Sequence, residues 1–390
     1  MGLFFPESIL KTFHNSVFHA EQTSITRGSS TMFAMDLSLG ISIDANYVCT
    51  YLESMEFKRS IIVLVFLSCL ISSTAQTPIN YNTTISLLEP KIASQIKTNT
   101  VRTNDSSNIY LGDENSTHLF YQSLIPKGSP KGTVVLMPGT WETTEHVWNS
   151  MSEFCKLAQK NNLAVLVLSI NQRLTLTSEI VQLINSMCTN AIETYHLPRN
   201  QFVFGGFSMG GIFCLRYAEF AVEDSTYALI RPKAVFSCDG PCDLKHIYKN
   251  FQRKKDKNPG LNEPKYGIAE LEAYCEGTPN SNPKKYEYYS PFSFDDSLGG
   301  NAKFLINMPL RIYADVDPVW WMQNRHVDMY DLNALDQTAL IQLLNDMGNT
   351  KAEFINAFQK GIRIEGNRHP HSWSIIESKS CVNWILSNLN

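Results

Sequence analysis

Two spacings of apolar residues alternate along this chain from residue 118 onward. Short runs of strand length occur at HLFYQSLIP (118–126), GTVVLMPG (132–139), NLAVLVLSI (162–170), QFVFGGF (201–207), PKAVFSC (232–238) and PLRIYAD (309–315). Between them, segments at 147–160, 178–194 and 209–221 have helical character. A later helix is expected near 336–347, stopped at Gly348, then a strand over AEFINAF (352–358) and a closing helix from about Trp373. The runs at 132–139 and 162–170 read as strands covered on both faces. Strands alternating with helices predict an α/β fold, a mostly parallel central sheet with helices on both faces.

Two stretches break that rhythm. Residues 76–117 are rich in Ser, Thr and Asn and read as an irregular lead-in. Residues 243–305, rich in Lys, Asn, Pro and Tyr, read as an insertion over one edge of the sheet. The chain has no internal repeat and no low-complexity tract.

The segment MEFKRSIIVLVFLSCLISSTAQ (55–76) has the layout of a secretory signal peptide. Lys58 and Arg59 precede an apolar run, and Ser73 and Ala75 hold the −3 and −1 positions of a cleavage site before Gln76. The run is about half the ~20 residues a membrane span needs, so no stable span is expected. A signal peptide must lie near the start of the nascent chain. Translation is therefore expected to begin at Met55, with residues 1–54 absent from the working protein and residues 55–75 removed on export. A secreted, periplasmic or otherwise extracytoplasmic protein follows. A lipoprotein anchored at Cys69 fits less well, because Phe66 stands where a smaller aliphatic residue is usual and the apolar run continues past the cysteine.

Composition narrows the reading further. With 43% hydrophobic residues and 21 Phe, 16 Tyr and 6 Trp, the 390-residue chain can bury a substantial core. A net charge of −4 gives no electrostatic reason to expect nucleic acid as a partner. Beyond residue 75 there are seven cysteines, Cys155, Cys188, Cys214, Cys238, Cys242, Cys275 and Cys381, an odd number. Cys238 and Cys242 could bridge or stay free, and no spacing matches a zinc site. Three glycosylation sequons begin at Asn82, Asn104 and Asn115.

The chemistry centres on GGFSMGG (205–211), where a buried strand must reverse into a helix. Such a turn forces the serine backbone into a strained conformation, and flanking glycines relieve crowding between the two elements. Ser208 would be lifted above the sheet at a helix N-terminus, with the Met209 amide aimed where negative charge develops. The bland alternative is a tight strand–helix connection built of small residues.

With this turn, the strand–helix order around it, and the order of nucleophile, acid and histidine, residues 118–390 resemble the α/β-hydrolase family. The resemblance implies an α/β-hydrolase fold with a cap at 243–305. A serine needs a base of near-neutral pKa, which favours histidine. The loop before the last helix, EGNRHPHSWSIIE, offers His369 and His371. His371, followed by Ser372 and Trp373, fits the family pattern better than His369, which is locked before Pro370. For the acid, the pattern selects Asp317 in RIYADVDPVWW, with Ala314 standing for the usual glycine. Asp317 before Pro318 is also a good helix N-cap. Asp315 and Asp239 are the alternatives for the acid. The second oxyanion donor would be the backbone amide of Thr140, paired with that of Met209, in a loop that has Pro138-Gly139 where many relatives have His-Gly.

The expected activity is hydrolysis of a carboxylic ester by a secreted enzyme through Ser208, His371 and Asp317, with no metal and no cofactor. A peptidase or acyltransferase on the same machinery is the nearer alternative, and a non-catalytic binding protein on this scaffold the more distant one. Trp141, Trp320 and Trp321 are expected near the mouth of the site and hint at an apolar or ring-bearing small-molecule or acyl substrate. Oligomeric state is open.

Overall fold

The computed structural model describes residues 85–103, 108–112 and 118–389. The leader, the signal-peptide segment, Cys69 and the three sequons lie outside those residues. Eight strands form one sheet: β1 (Lys97–Thr103), β2 (His118–Leu124), β3 (Gly132–Met137), β4 (Leu163–Leu168), β5 (Phe202–Phe207), β6 (Ala234–Cys238), β7 (Leu310–Ala314) and β8 (Ala352–Asn356). Their order across the sheet is β1-β2-β4-β3-β5-β6-β7-β8. Only the β1–β2 and β2–β4 pairings are antiparallel. The other five are parallel.

The central strands are the ones whose sequences are apolar at every position. All six residues of β3, β4 and β5 are buried, as parallel strands covered on both faces must be. Alternate side chains feed two separate cores. Val135, Met137, Leu166, Leu168 and Phe204 point into one, and Val134, Leu136, Val165, Val167 and Val203 into the other. The first core is covered by α1 (Ser178–Tyr195), α2 (Met209–Glu223) and α3 (Ala334–Asp346). The second lies under α4 (Thr144–Ser150), α5 (Ser152–Lys160) and α6 (Ser378–Leu389).

Three expectations about elements are corrected. The lead-in carries β1, a seven-residue strand paired along one edge, with a register shift between Thr100 and Arg102. The helix expected over 147–160 is two helices, α4 and α5, that meet at Met151. The closing helix starts at Ser378, because residues 373–375 form a 3₁₀ turn instead. That turn is fixed by Ser372, whose hydroxyl accepts the Ser374 N–H.

Between β6 and β7 the chain inserts α7 (Leu244–Lys257), α8 (Asn262–Tyr274) and α9 (Pro283–Tyr289). Asp243 caps α7, accepting the N–H groups of Lys245 and His246. A short helix, α10 (Pro318–Arg325), follows β7. All seven cysteines of the described residues are free and buried, so Cys238 and Cys242 do not bridge. Burial pushes the thiol of Cys188 up to about 12. No helix among the described residues is long and apolar enough to cross a membrane.

Candidate active site

β5 ends at Phe207, and Ser208 takes φ 53°, ψ −119°, before α2 begins at Met209. A side-chain-bearing residue in that region is strained, and the surroundings hold it there. Its N–H donates to the Cys238 carbonyl at 3.0 Å, and its own carbonyl accepts the Gly211 N–H at 2.9 Å. The glycines are required by space. A Cβ on Gly206 would fall on the Gly210 carbonyl, and one on Gly210 would fall on the Met137 carbonyl. Only glycine lets β5, α2 and the end of β3 approach this closely. Ser208 is half-buried, and its Oγ has no hydrogen-bond partner among the described residues.

The histidine arrives from the other end of the chain. His371 follows a hairpin in which Ile362 and Arg368 pair. Its ring lies 4.4 Å from the ring of Phe207, the residue before Ser208. Its Nδ1 lies 2.6 Å from Oδ2 of Asp239. That contact fixes the tautomer: Nδ1–H donates to the carboxylate, which leaves the Nε2 lone pair available. His369 is not in this pairing. Its Nδ1 accepts the His371 N–H at 3.2 Å, and its ring packs edge-on against Trp320 and Trp321. Burial, followed by the charge of Arg363, drives the His369 pKa far below its ordinary value, so this ring stays neutral.

The expected acid is corrected. Asp317 does not meet His371; it caps α10, accepting the Trp320 N–H at 3.0 Å. Its other oxygen accepts from Arg368 at 3.1 Å. Asp315 takes the same guanidinium at 2.9 Å and accepts the Gln359 and Gly361 N–H groups, each at 2.8 Å. The two β7 carboxylates thus anchor the hairpin that carries the histidine loop.

Asp239 stands one strand over, just past β6, with φ 49°. Its N–H donates to the Tyr313 carbonyl at 2.8 Å. Asn333 donates to its carbonyl at 2.8 Å, and Gln337 of α3 donates to its Oδ1 at 3.4 Å and to the Gly240 carbonyl at 2.9 Å. Ser208 and Asp239 therefore sit at the ends of neighbouring strands, tied by the Ser208 N–H to the Cys238 carbonyl. Gln337 and Asn333 carried no motif in the sequence, since their role depends on where α3 packs.

The loop after β3 completes the arrangement. Gly139 packs so closely on Phe207 that an added Cβ would be 2.8 Å from its ring, with the Ser208 Cβ in ordinary contact beyond at 3.4 Å. The Trp141 N–H is taken by the Asn171 carbonyl at 2.8 Å and the Gly139 N–H by Glu142 at 2.8 Å. The amides of Thr140 and Met209 have no acceptor among the described residues. Glu142, buried and absent from the expectations, also accepts the Trp373 indole N–H at 2.8 and 3.0 Å. It thereby couples this loop to the histidine loop.

Trp141, with φ 61°, packs against Tyr266 of α8, the ring centroids 4.9 Å apart and the planes tilted by 55°, so the insertion reaches the rim of this loop. Trp320 and Trp321 are half-buried on α10 and pack on His369 rather than on His371. The described residues contain no cluster of side chains able to hold a metal ion.

A mostly parallel eight-stranded sheet, covered by helices on both faces and carrying a serine elbow after β5, is the α/β-hydrolase fold. No family model matches the sequence, and no curated protein matches it. Solved structures similar in fold include an acylaminoacyl peptidase of Pyrococcus horikoshii, at 14% identity and a TM-score of 0.48. That match covers 76% of this chain and 42% of the peptidase, so the chain spans less than half the length of that protein. Another is the fluorophosphonate-binding serine hydrolase F of Staphylococcus aureus, at 11% identity and a TM-score of 0.47, covering 76% and 99% of the two chains. The S-formylglutathione hydrolase of Staphylococcus aureus matches at 13% identity and a TM-score of 0.45, covering 76% and 99%.

Proposed function

We propose that this protein is a serine hydrolase that cleaves carboxylic esters, with Ser208 as nucleophile, His371 as general base and Asp239 as the acid that orients it. The observation that carries this reading is the 2.6 Å contact between His371 Nδ1 and Asp239 Oδ2, formed beside the strained Ser208 turn. His371 Nε2 takes the proton as Ser208 Oγ attacks the ester carbonyl, and Asp239 stabilises the imidazolium that results. The Thr140 and Met209 amides receive the oxyanion, each worth about 3–4 kcal/mol of transition-state stabilisation. His371 then protonates the departing alcohol. A water, deprotonated by the same ring, releases the acid and restores Ser208. Every atom and proton is accounted for without a metal or cofactor.

The insertion at 243–305 acts as a cap over the acyl or alcohol side, with Tyr266 and Trp141 forming part of its contact with the site. The segment 55–75 supports export, and the working protein is proposed to act outside the cytoplasm. Labelling with a neutral fluorophosphonate tests the chemistry. Wild type should label on Ser208 and Ser208→Ala should not, and a folded wild type that fails to label refutes the proposal.

A further inference from the structure

We propose that Asn171 is a positioning residue for the reaction, one that sets the direction of the Thr140 amide receiving the oxyanion. This rests on the Ser208 reading above. Asn171 stands in the loop after β4 and is fully buried. The Thr140 N–H shares a peptide plane with the Gly139 carbonyl and points the opposite way from it. Whatever holds that carbonyl therefore aims the amide. The Gly139 carbonyl accepts the Glu142 N–H at 3.1 Å, and the Glu142 carbonyl in turn accepts Nδ2 of Asn171 at 2.9 Å. The next peptide is held by the same residue, because the Asn171 carbonyl accepts the Trp141 N–H at 2.8 Å. Asn171 thus grips consecutive residues of the loop, one through its backbone and one through its side chain. The grip keeps Trp141 at φ 61°, a region that side-chain-bearing residues rarely adopt. With the Gly139, Trp141 and Glu142 amides all engaged, the Thr140 amide is the one in this turn with no acceptor among the described residues.

Asn171 is itself immobilised. Its N–H donates to the Ile109 carbonyl at 3.0 Å. Its Oδ1 accepts the Leu111 N–H at 2.8 Å and Nε2 of Gln172 at 3.0 Å, and Nδ2 also donates to the Leu111 carbonyl at 2.9 Å. A buried amide with every donor and acceptor engaged has one orientation. The insertion braces the same loop. The Tyr266 hydroxyl of α8 donates to the Gln172 carbonyl, and the Arg173 guanidinium lies 4.4 Å from the centre of the Tyr274 ring, two turns further along α8. Disturbing Asn171 should therefore weaken binding of the transition state and leave binding of the ester itself alone.

The test uses Asn171→Asp, which keeps the shape and the acceptor for the Leu111 N–H but removes the donor to Glu142. On a short p-nitrophenyl ester, kcat should fall about tenfold to a hundredfold with KM nearly unchanged. The Ki of the matching trifluoromethyl ketone should rise by the same factor. Ser208 Oγ bonds to the carbonyl carbon of that inhibitor, the serine proton passes to His371 Nε2, and the carbonyl oxygen becomes the oxyanion. Its Ki does not depend on the folded fraction, so a merely destabilising change leaves it unmoved. Asn185→Ala, which breaks bonds to Tyr217 and to the Leu229 N–H, is the destabilised control. It should keep the wild-type Ki, and an equal rise there overturns the proposal. So does an unchanged Ki in folded Asn171→Asp. The pH profile of kcat/KM should keep its wild-type shape, and a shifted profile overturns the proposal by placing the loss at His371. Where Asn171→Asp does not fold, Tyr266→Phe decides: losing the bond to Gln172 should raise Ki about threefold, and no rise overturns the proposal. Neutral fluorophosphonate labelling of the wild type separates the two ideas. Labelling at Ser208 with an unchanged Ki refutes the Asn171 assignment alone, and absence of labelling refutes both.

Discussion

Exchanging Asp239 and Asp317 separately for asparagine sets the acid assignment against its rival. Asp239 adopts φ 49°, a region asparagine tolerates well, so Asp239→Asn carries little backbone penalty. Its Oδ1 faces the Gln337 amide, which donates to it at 3.4 Å, while Oδ2 faces His371 Nδ1 at 2.6 Å. The asparagine carbonyl will keep the Gln337 donor, which turns its NH₂ toward Nδ1. That donor holds the proton on Nε2, the tautomer that cannot accept from Ser208. Loss of the charge and of the tautomer together cost about 10⁴-fold in kcat, or roughly 5.5 kcal/mol of transition-state stabilisation. Asp317→Asn differs in every respect. Asparagine remains a good N-cap for α10, and Arg368 keeps Asp315 at 2.9 Å and the Gly361 carbonyl at 3.0 Å. The expected loss is within about threefold in kcat, with about 1–3 kcal/mol of stability for the weakened charged hydrogen bond. Steady-state hydrolysis of a short p-nitrophenyl ester, with circular dichroism to establish folding, measures both. A folded Asp239→Asn that retains near-wild-type kcat while Asp317→Asn loses several thousandfold would refute the argument.

Gly206→Ala drives a methyl into the Gly210 carbonyl and should cost about 3 kcal/mol, read as a lower thermal midpoint; an unchanged midpoint contradicts the packing at the elbow. Trp373→Phe removes the indole donor from buried Glu142 and should cost about 1–3 kcal/mol in urea unfolding, with hydrolysis impaired because two loops lose their shared anchor. His246 has Asp336 Oδ2 at 2.6 Å from Nδ1 and the Tyr330 carbonyl at 2.9 Å from Nε2, two acceptors that only an imidazolium satisfies. Its pKa is raised, chiefly by the hydrogen bond it donates to Asp336. The pairing therefore stabilises fully below about pH 6.5, and that contribution fades as pH rises through the higher folded value. The stability difference between wild type and His246→Gln should narrow as pH rises above about 6.5, and a difference constant with pH disproves the imidazolium. A thiol reagent such as Ellman's should modify none of the seven described cysteines in the native protein and all seven after unfolding, read by mass mapping of the labelled peptides, and prompt native labelling of any of them would contradict their burial.

The sheet was legible where burial on both faces leaves a continuous apolar run, as in GTVVLM and LAVLVL. β1, KTNTVRT, lies at an edge with Val101 as its one aliphatic side chain, and nothing in so polar a stretch distinguishes a strand from a coil. Its pairing is dictated by β2, seen only in three dimensions. Ser208 could be read because its turn needs glycine locally, at positions two residues away on each side. The acid could not, because nothing local fixes it. β6 and β7 are neighbours about 4.8 Å apart, so a carboxylate just past either strand can approach a histidine above them. Which one does so depends on the path of the hairpin at 361–369. The Asp-Pro pair at 317–318 was a reliable signal of a helix start, and that is the use it has.

Moving the acid to β6 also gives the β7 carboxylates a coherent task. Asp315 and Asp317 are both buried, and two such anions side by side need a cation to offset their repulsion. Arg368 holds both, at 2.9 and 3.1 Å, and donates to the Gly361 carbonyl at 3.0 Å. The cation neutralises the pair and pins the hairpin in one step. That hairpin in turn fixes the Ile362 contacts to Ser372 and Ser374, on either side of Trp373 and next to His371. In the proposed mechanism the position of His371 is set by one charged cluster and its polarisation by another, so the two can be altered independently. Arg368→Met should expose the difference. It leaves two buried carboxylates without their cation, so the hairpin should loosen and kcat fall with a shifted pH profile, while the Asp239 contact itself remains chemically intact. Restoration of activity when Asp315→Asn and Asp317→Asn are added to Arg368→Met would establish that charge, rather than shape, holds the loop; a triple variant no better than Arg368→Met would show the reverse.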